Sequence, residues 1–186
     1  MALSRDDWIR AALVAIAERG SAEVAVERLA LQLGATKGSF YWHFRDRGEL
    51  VAEALALWER EGTDDFITRF APVADPVERL RLVLTAAMED EDNEHGPADA
   101  ALIAAGADPT ITPVVDRVQR KRLAFIEGCF RDMGFPPAES RHRARIGYSI
   151  YLGWYAQLPA DRGAAPPARE RAAYERIAVD LLARPR

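Results

Sequence analysis

Five consecutive aromatic side chains stand in the first quarter of the sequence. Residues 40–44 read Phe-Tyr-Trp-His-Phe, and Lys37 and Ser39 precede them. On one helix the two phenylalanines share a face, so the tyrosine and tryptophan between them point elsewhere, where exposed rings favour a partner. Lysine, serine and tyrosine donate hydrogen bonds to phosphates, and such side chains also reach base edges. The run indicates a nucleic-acid contact surface. The alternative is an aromatic core segment of a helical bundle.

The distribution of charge is compatible with such a surface although the total is acidic. The 186 residues hold 25 Lys and Arg against 29 Asp and Glu, a net charge of −4. Residues 1–50 are balanced, residues 51–110 are strongly acidic, and residues 111–186 are basic. Within residues 28–47, four cations stand beside one acid, which predicts a local positive patch. These cations are Arg28, Lys37, Arg45 and Arg47.

Other side chains with chemical potential give weaker signals. Residues 89–95, Glu-Asp-Glu-Asp-Asn-Glu-His, could bind a divalent cation, but consecutive acids point in different directions, so we expect a solvated loop and no metal. Cys129 is the only cysteine and has apolar neighbours, which indicates a core residue; redox sensing is the alternative. We find no nucleophile with a partner base, no paired carboxylates and no phosphate-binding glycine loop. We therefore expect neither an enzyme nor a cofactor.

Composition bounds the class of protein. Hydrophobic residues make up 49% and charged residues 29% of the chain, values typical of globular proteins. The most apolar run, residues 146–156, is about half of the ~20 residues that cross a bilayer, and no apolar leader opens the sequence. We expect a soluble, cytoplasmic protein that does not enter a membrane.

Helical periodicity runs through the sequence and predicts an all-α fold of about nine helices. Capping residues, prolines and glycines set the helix ends, such as Ser4 before the first helix and Gly20 after it. Asp46 should cap a long fourth helix that Gly62 could kink. We expect the helices at about residues 5–19, 26–33, 37–43, 47–70, 76–88, 98–105, 112–133, 137–158 and 168–182.

The second and third of these helices form a helix-turn-helix pattern, joined by a turn that contains Gly34. Glycine suits the left-handed conformation that this turn requires. A small core shared by the two helices leaves Lys37, Tyr41 and the edge of Trp42 on the face that would meet the DNA major groove. The expected core residues are Leu29, Leu33, Phe40 and Phe44.

The segment from Val26 to Leu50 closely resembles the DNA-binding signature of the TetR family of one-component bacterial transcription regulators. The matching positions are Ala30, Gly34, Thr36, Gly38, Tyr41, His43, Phe44, Arg47 and Leu50. The motif covers about 25 residues, and the pattern of the first and fourth helices extends the resemblance to about residue 60. Beyond it, only the chain length and the nine-helix architecture are similar to the family.

The resemblance implies specific DNA contacts. Thr36 and Tyr41 would contact phosphates, His43 the backbone, and Arg47 a phosphate at the start of the fourth helix. The residues that would lie against base edges or sugars are Lys37, Gly38, Ser39 and Trp42. Two positions depart from the family. Ala25 stands where a capping threonine or serine is usual, and Arg47 stands where lysine is usual, which retains the charge.

A homodimer is expected because a recognition helix of about seven residues reaches too few base edges for a specific genomic site. Residues 146–156 are apolar nearly all round, so one side should meet the protein's own core and the other a partner. The last helix offers Tyr174, Ile177, Val179 and Leu181 beside it. This arrangement matches the four-helix dimer interface of the TetR family. A central helix within a monomer is the alternative.

The resemblance also implies an effector pocket enclosed by the fourth to eighth helices. Aromatic and flexible side chains tolerate irregular apolar ligands, and each candidate could equally be plain core. The candidate lining residues are Trp58, Phe66, Met88, Ile103, Phe125, Tyr148, Tyr151 and Trp154.

The resemblance divides the chain into a DNA-binding domain, residues 1–46, and a ligand-binding and dimerisation domain, residues 47–186. We expect a repressor that binds a palindromic operator in double-stranded DNA as a homodimer and is released by an unknown small apolar or amphipathic effector. One alternative is an all-helical small-molecule-binding or enzymatic domain with a vestigial DNA-binding motif. Another is a helical protein-interaction adaptor.

Overall fold

The computed structural model describes residues 3–88, 95–104, 108–157 and 166–184, and over these ranges the fold is all-α, as predicted. The helices are α1 (Arg5–Arg19), α2 (Val26–Gln32), α3 (Lys37–His43), α4 (Arg47–Glu59), α5 (Phe66–Phe70), α6 (Pro76–Met88), α7 (His95–Ala104), α8 (Thr112–Asp132), α9 (Pro137–Gln157) and α10 (Ala168–Ala183). A π-helical turn, Arg60–Asp65, joins α4 to α5 without a break, so the described ranges contain the nine predicted helices. None of the helices described is long and apolar enough to cross a membrane.

Helix ends follow the capping pattern of the sequence. The Ser4 hydroxyl accepts from the N–H of Asp7 at 3.2 Å, and the Asp7 carboxylate accepts from the N–H of Ser4 at 2.7 Å. Gly20 ends α1 with a φ of 85°, a conformation that favours glycine. The Asp46 carboxylate accepts from the N–H of Glu49 at 2.9 Å and caps α4. These bonds satisfy N–H groups that a helix start leaves without a partner.

The long helix changes its winding where the sequence predicts a kink. Gly62 lies within the π-helical turn Arg60–Asp65, which is wound more widely than an α-helix. Thr63 in the turn is buried. Glu61 accepts from the guanidinium of Arg10, with Nη2 and Oε1 3.0 Å apart. An ion pair therefore joins α1 to the turn.

The chain divides into two compact units. The first unit comprises Met1–Asp64 and Pro97–Val118, and the second comprises Asp65–Gly96 and Gln119–Arg186. In the first unit, α1 packs along α4 and α2 packs on α3. In the second unit, α6 packs against both α9 and α10.

Trp8 and Phe40 lie at the centre of the first unit, both fully buried. Their rings meet edge to face, with centroids 5.5 Å apart, and Phe40 stacks on Phe44 at 5.3 Å. Leu29 is buried beside them and Leu33 is half-buried against the same core. The predicted core between α2 and α3 is confirmed, and Trp8 of α1 completes it.

Polar contacts tie the helices of the second unit together. The Tyr155 hydroxyl donates to the carbonyl of Ala87 at 2.8 Å, joining α9 to α6. The Thr85 hydroxyl donates to Glu175 Oε2 at 2.9 Å, joining α6 to α10. Cys129 is fully buried, and this burial raises the pKa of its thiol above the ordinary value. The cysteine is therefore an uncharged core residue, as its apolar neighbours predict.

Candidate nucleic-acid interface

A tight turn fixes the start of α3 relative to α2. Gly34 has a φ of 64°, the left-handed conformation predicted for this position. The N–H of Ala35 donates to the carbonyl of Ala30 at 2.8 Å. The Thr36 hydroxyl accepts from the N–H of Ser39 at 3.2 Å and caps α3. The recognition helix of the predicted helix-turn-helix is thus held by local backbone bonds at its N-terminal end.

The aromatic run divides between core and surface as predicted. Phe40 and Phe44 are buried, whereas Tyr41 is 56% exposed and Trp42 is 85% exposed. His43 is half-buried and its ring lies 6.3 Å from that of Phe44. Two large rings therefore stand on the outer face of a seven-residue helix, which rules out a purely internal role for the run.

The other residues expected to contact DNA surround these rings. Lys37 and Gly38 are exposed in the first turn of α3, Ser39 is half-buried, and the capping Thr36 is exposed. A Cβ placed on Gly38 would meet only the Thr36 hydroxyl, at 3.7 Å, so the backbone here is open to close approach. The structure thus brings seven of the eight predicted residues onto α3 or its cap.

Each cation of the predicted positive patch already has a polar partner. The ion pairs join Lys37 Nζ to Glu27 Oε1 at 2.5 Å, Arg45 Nε to Glu49 Oε2 at 3.1 Å, and Arg28 Nη2 to Glu23 Oε2 at 3.5 Å. The three carboxylates lie just outside residues 28–47, over which the positive charge was counted. The patch is therefore far less positive than its count of cations suggests.

The ion pair between Lys37 and Glu27 fixes both side chains in their charged forms. Hydrogen bonding to Lys37 lowers the pKa of the Glu27 carboxyl, and the same bond raises the pKa of the Lys37 ammonium. Both side chains remain exposed to solvent, so the pair contributes little to folding. The pair places the Lys37 ammonium, a donor, next to the Glu27 carboxylate, an acceptor, at the start of α3.

Arg47, the eighth predicted DNA contact, holds the backbone that precedes α2. Its Nε donates to the carbonyl of Val24 at 2.6 Å, and Nη2 donates to the carbonyl of Ser21. Ala25, the N-cap residue of α2, has no side-chain oxygen to accept a hydrogen bond. The Arg47 guanidinium therefore holds the backbone before α2, where the N-cap side chain cannot do so. No local pattern predicts these hydrogen bonds, because they join positions 23 and 26 residues apart.

The same segment is joined to residues near α8. The Ser21 hydroxyl donates to Asp108 Oδ2, and the Asp108 carboxylate also accepts from the N–H of Thr110 at 2.8 Å. Hydrogen bonding to Ser21 is the main cause that lowers the pKa of the Asp108 carboxyl. Within the first unit, one connected network thus links the start of α4 to the residues before α8.

A second exposed surface lies on α9 and α10 in the second unit. Ile146, Ile177 and Leu181 are 53%, 54% and 66% exposed, whereas Val179 is buried. A groove of about 420 Å³ runs beside them, lined by Glu139, His142, Arg143, Ile146, Ile150, Leu181 and Leu182. α9 itself packs closely on α10, since a Cβ on Gly147 would lie 3.3 Å from Leu182 Cδ1. These helices are thus covered on one side and leave apolar side chains open on the other.

The eight candidate pocket residues fall into both units. In the first unit, Trp58 is buried and donates its indole N–H to Asp99 Oδ1 at 2.5 Å, and Ile103 is half-buried at the edge of the core. In the second unit, three candidates are buried and three are half-buried. The buried ones are Met88, Tyr148 and Tyr151, and the half-buried ones are Phe66, Phe125 and Trp154.

The three candidates on α9 contact other aromatic rings of the second unit. Tyr148 stacks on Tyr151 with ring centroids 6.0 Å apart, and Trp154 lies 5.1 Å from Tyr174 of α10. The indole N–H of Trp154 is buried and finds no acceptor in the described part of the chain. The Trp154 indole thus keeps a hydrogen-bond donor in reserve within an aromatic cluster.

The predicted acidic loop, residues 89–94, and the His95 side chain lie outside the described residues. Among the residues that are described, no group of three or more His, Cys, Asp or Glu side chains could hold a metal ion.

Part of the chain matches the model of a known protein family. Residues 9–65 match the family model described as bacterial regulatory proteins, tetR family, which spans α1 to the π-helical turn. No curated protein sequence matches the chain.

Three solved structures illustrate the similarity of fold. A transcriptional regulator of the TetR family from Agrobacterium tumefaciens superposes with a TM-score of 0.74 at 17% identity, covering 95% of this chain and 96% of that one. A putative transcriptional regulator from Saccharomonospora viridis in complex with choline gives 0.74 at 16%, covering 96% and 94%. AibR in complex with isovaleryl coenzyme A and operator DNA gives 0.66 at 20%, covering 96% and 95%.

Proposed function

We propose that the chain is a transcriptional repressor of the TetR family, whose model residues 9–65 match, and that it binds palindromic operator DNA as a homodimer and responds to a small molecule. The observation that carries the proposal is the geometry of α3. This short helix is capped by Thr36 and follows the left-handed Gly34. It exposes Tyr41 and Trp42 to solvent while Phe40 and Phe44 are buried on its other face. A helix presented in this way fits the DNA major groove.

In this proposal the side chains divide the work of binding. Thr36 and Tyr41 contact phosphates and His43 contacts the backbone, which positions the protein on the duplex. Sequence recognition belongs to the side chains and backbone that would face base edges or sugars, namely Lys37, Gly38, Ser39 and Trp42. Arg47 has five N–H donors, of which the carbonyls of Ser21 and Val24 take two, so it could also donate to a phosphate.

The exposed apolar side chains of α9 and α10 support a dimer. Ile146, Ile177 and Leu181 are more than half exposed although they are large and apolar, and Ile146 and Leu181 line the same groove. Exposed apolar side chains gathered on one surface are typical of an interface. A second copy of the chain would bury these side chains against their own equivalents through a two-fold axis. A dimer also provides the two recognition helices that a palindromic operator needs.

The aromatic cluster of the second unit supports an effector site. Tyr148, Tyr151 and Trp154 offer apolar surface, and the Trp154 indole N–H would donate to a polar group of the ligand. Two structures of similar fold are described in complex with choline and with isovaleryl coenzyme A, so folds of this kind accommodate small-molecule ligands. For this chain we propose a small apolar or amphipathic effector, in keeping with the aromatic rings of the cluster. We propose that residues 1–46 form the DNA-binding domain, that residues 47–186 form the effector and dimerisation domain, and that the protein acts in the cytoplasm.

The proposed response to the effector is a shift between two spacings of the recognition helices. The helical stretch from Arg47 to Phe70 follows α3 directly and would act as the lever. Effector binding would favour the spacing that does not fit adjacent major grooves, and so release the operator.

A binding assay on the protein's own upstream DNA tests the proposal. The double variant Lys37→Ala, Tyr41→Ala should lose specific binding at moderate salt, and the affinity of the unchanged protein should fall steeply as salt rises. Arg81→Ala is the matched control, because Arg81 forms an exposed ion pair of similar length with Glu78 on α6. If the double variant binds as well as the unchanged protein, the assignment of α3 is wrong. If neither protein shows salt-dependent DNA binding, the chain is not a DNA-binding regulator.

A further inference from the structure

A carboxylate stands beside the first cation of the recognition helix. Glu27 on α2 and Lys37 at the start of α3 meet across the helix-turn-helix, with Oε1 and Nζ 2.5 Å apart. The side chain of Glu27 is 65% exposed and that of Lys37 is 55% exposed. The outer surface therefore presents a hydrogen-bond acceptor and a hydrogen-bond donor side by side.

A carboxylate on a DNA-facing surface requires a specific reason. Phosphates repel it, and it can accept hydrogen bonds but cannot donate them when ionised. Lys37 neutralises the charge of Glu27 and so reduces this repulsion. The remaining lone pairs of the carboxylate stay exposed beside the first turn of α3, where base edges would lie.

Base pairs differ in what they offer such a pair of side chains. In the major groove, guanine presents the acceptors N7 and O6, while its partner cytosine presents the amino donor N4. Lysine pairs with the guanine acceptors and glutamate accepts from cytosine N4. Lys37 and Glu27 are hydrogen-bonded to each other, so their donor and acceptor lie close together. Such a pair matches the guanine acceptors and the cytosine donor of one G·C pair.

We propose that Glu27 is a specificity-determining residue of the DNA interface, its carboxylate accepting from cytosine N4 while Lys37 donates to the paired guanine. The inference rests on the proposed DNA-binding function and adds one feature of the operator, a G·C pair in each half-site at the position that this side-chain pair faces. It also assigns to α2 a direct part in reading sequence.

Selection from a randomised double-stranded DNA library with the full chain tests the inference. The unchanged protein should enrich a palindrome with a G·C pair at one fixed position of each half-site. Glu27→Ala should lose this preference by on the order of 10-fold while keeping the preferences at other positions, because one base contact is removed. Glu27→Gln should shift the same position toward A·T, since glutamine pairs with adenine N6 and N7.

Two controls separate a reading role from a structural one. Glu78→Gln changes the carboxylate of an exposed pair with Arg81 on α6 and should leave the enriched sequence unchanged. Thermal unfolding of the Glu27 variants should match that of the unchanged protein, because an exposed ion pair contributes little to stability. If the Glu27 variants unfold at a lower temperature, Lys37→Ala should still lose the guanine preference at the same position.

The outcomes distinguish failure of the inference from failure of the proposed function. If the unchanged protein enriches no sequence, the proposed function fails. If it enriches a palindrome that is the same for the Glu27 variants, or if Glu27→Ala weakens all positions equally, the regulator stands and the inference is overturned. An enriched adenine at the position in the unchanged protein would also overturn it.

Discussion

The hydroxyl of Ser21 donates to the carboxylate of Asp108, a residue 87 positions later in the chain. The carbonyl of the same Ser21 accepts from Arg47 at the start of α4. One residue between α1 and α2 therefore joins the first turn of α4 to the segment that leads into α8. A change at Ser21 should therefore affect both the start of α4 and the segment before α8.

Asp108 should make stability depend on pH. Its pKa in the folded protein is lowered, mainly by the hydrogen bond from Ser21, so its contribution is complete above the unfolded value of about 3.9 and is lost as pH falls through the folded value. Asp108→Asn should therefore lower the free energy of unfolding by about 1 kcal/mol at pH 7, and this difference should shrink below about pH 4. Denaturant titrations at pH 7 and pH 3 measure it.

The control for this prediction is Asp116→Asn, which changes an exposed carboxylate of α8. This variant should unfold like the unchanged protein at both pH values. A difference for Asp108→Asn that is equal at pH 7 and pH 3 would contradict the assigned role of the charge.

Two glycines should respond to alanine with opposite signs. Gly34 has a φ of 64°, so Gly34→Ala should destabilise the protein by about 1 kcal/mol through strain at the turn before α3. Gly128 lies within α8, where an added Cβ has no atom within 4 Å, so Gly128→Ala should stabilise by about 0.5 to 1 kcal/mol. Thermal unfolding of both variants at one protein concentration is the measurement. Equal signs would argue against the left-handed turn.

Arg47 and Arg45 should differ in their effect on stability although they stand two residues apart. Arg47→Ala removes two hydrogen bonds to the carbonyls of Ser21 and Val24 and should cost about 1 to 2 kcal/mol. Arg45→Ala removes only an exposed ion pair with Glu49 and should change stability by less than about 0.5 kcal/mol. Urea unfolding midpoints compare the two. If both variants lose the same stability, the contact of Arg47 with the backbone is not the cause.

The buried hydrogen bond between Trp58 and Asp99 should contribute to the stability of the folded protein. Trp58→Phe removes the indole donor from a buried carboxylate and should cost about 1 to 3 kcal/mol. Trp42→Phe makes the same chemical change on an 85% exposed side chain and should leave stability within about 0.5 kcal/mol. Chemical denaturation followed by far-UV circular dichroism separates the two. A larger loss for Trp42→Phe would contradict the burial assigned to both.

Leu181→Asp should dissociate the proposed dimer. A carboxylate at the centre of an apolar contact between two copies would lose its water without gaining a partner. Sedimentation equilibrium should then show a monomer, and operator affinity should fall with it. Val14→Asp is the control, because Val14 is a half-exposed apolar residue of α1 in the other unit. If both variants sediment as the unchanged protein does, the open face of α9 and α10 is not the interface.

The helix ends and the buried helix faces could be predicted from the sequence because they depend on residues close together in the chain. Caps such as Thr36, the left-handed Gly34 and the four-residue spacing of Phe40 and Phe44 act within one or two turns of chain, so their pattern fixes helix ends and buried faces. The ion pairs of the recognition region were missed because pairing depends on which helices meet. Glu27 and Lys37 are ten residues apart and belong to different helices, so no periodicity relates them.

Long-range contacts explain the remaining differences. The pairing of Trp58 with Asp99 spans 41 residues, so the sequence could mark Trp58 only as a large apolar side chain and a candidate for a pocket. The contact of Arg47 with the carbonyl of Ser21 spans 26 residues. In both cases the residue type suggested a role, and the fold supplied a partner that the pattern could not show.

The paired cations beside α3 bear on how a regulator of this kind would be distributed in a cell. A chromosome offers about 10⁶ to 10⁹ sites of random sequence, and proteins rich in unpaired positive charge are held on them by phosphate contacts alone. Here Lys37, Arg28 and Arg45 are each matched by a carboxylate, so a random site would gain less from them than from unpaired cations. The proposed regulator would then lose fewer copies to bulk DNA than a protein whose cations are unpaired.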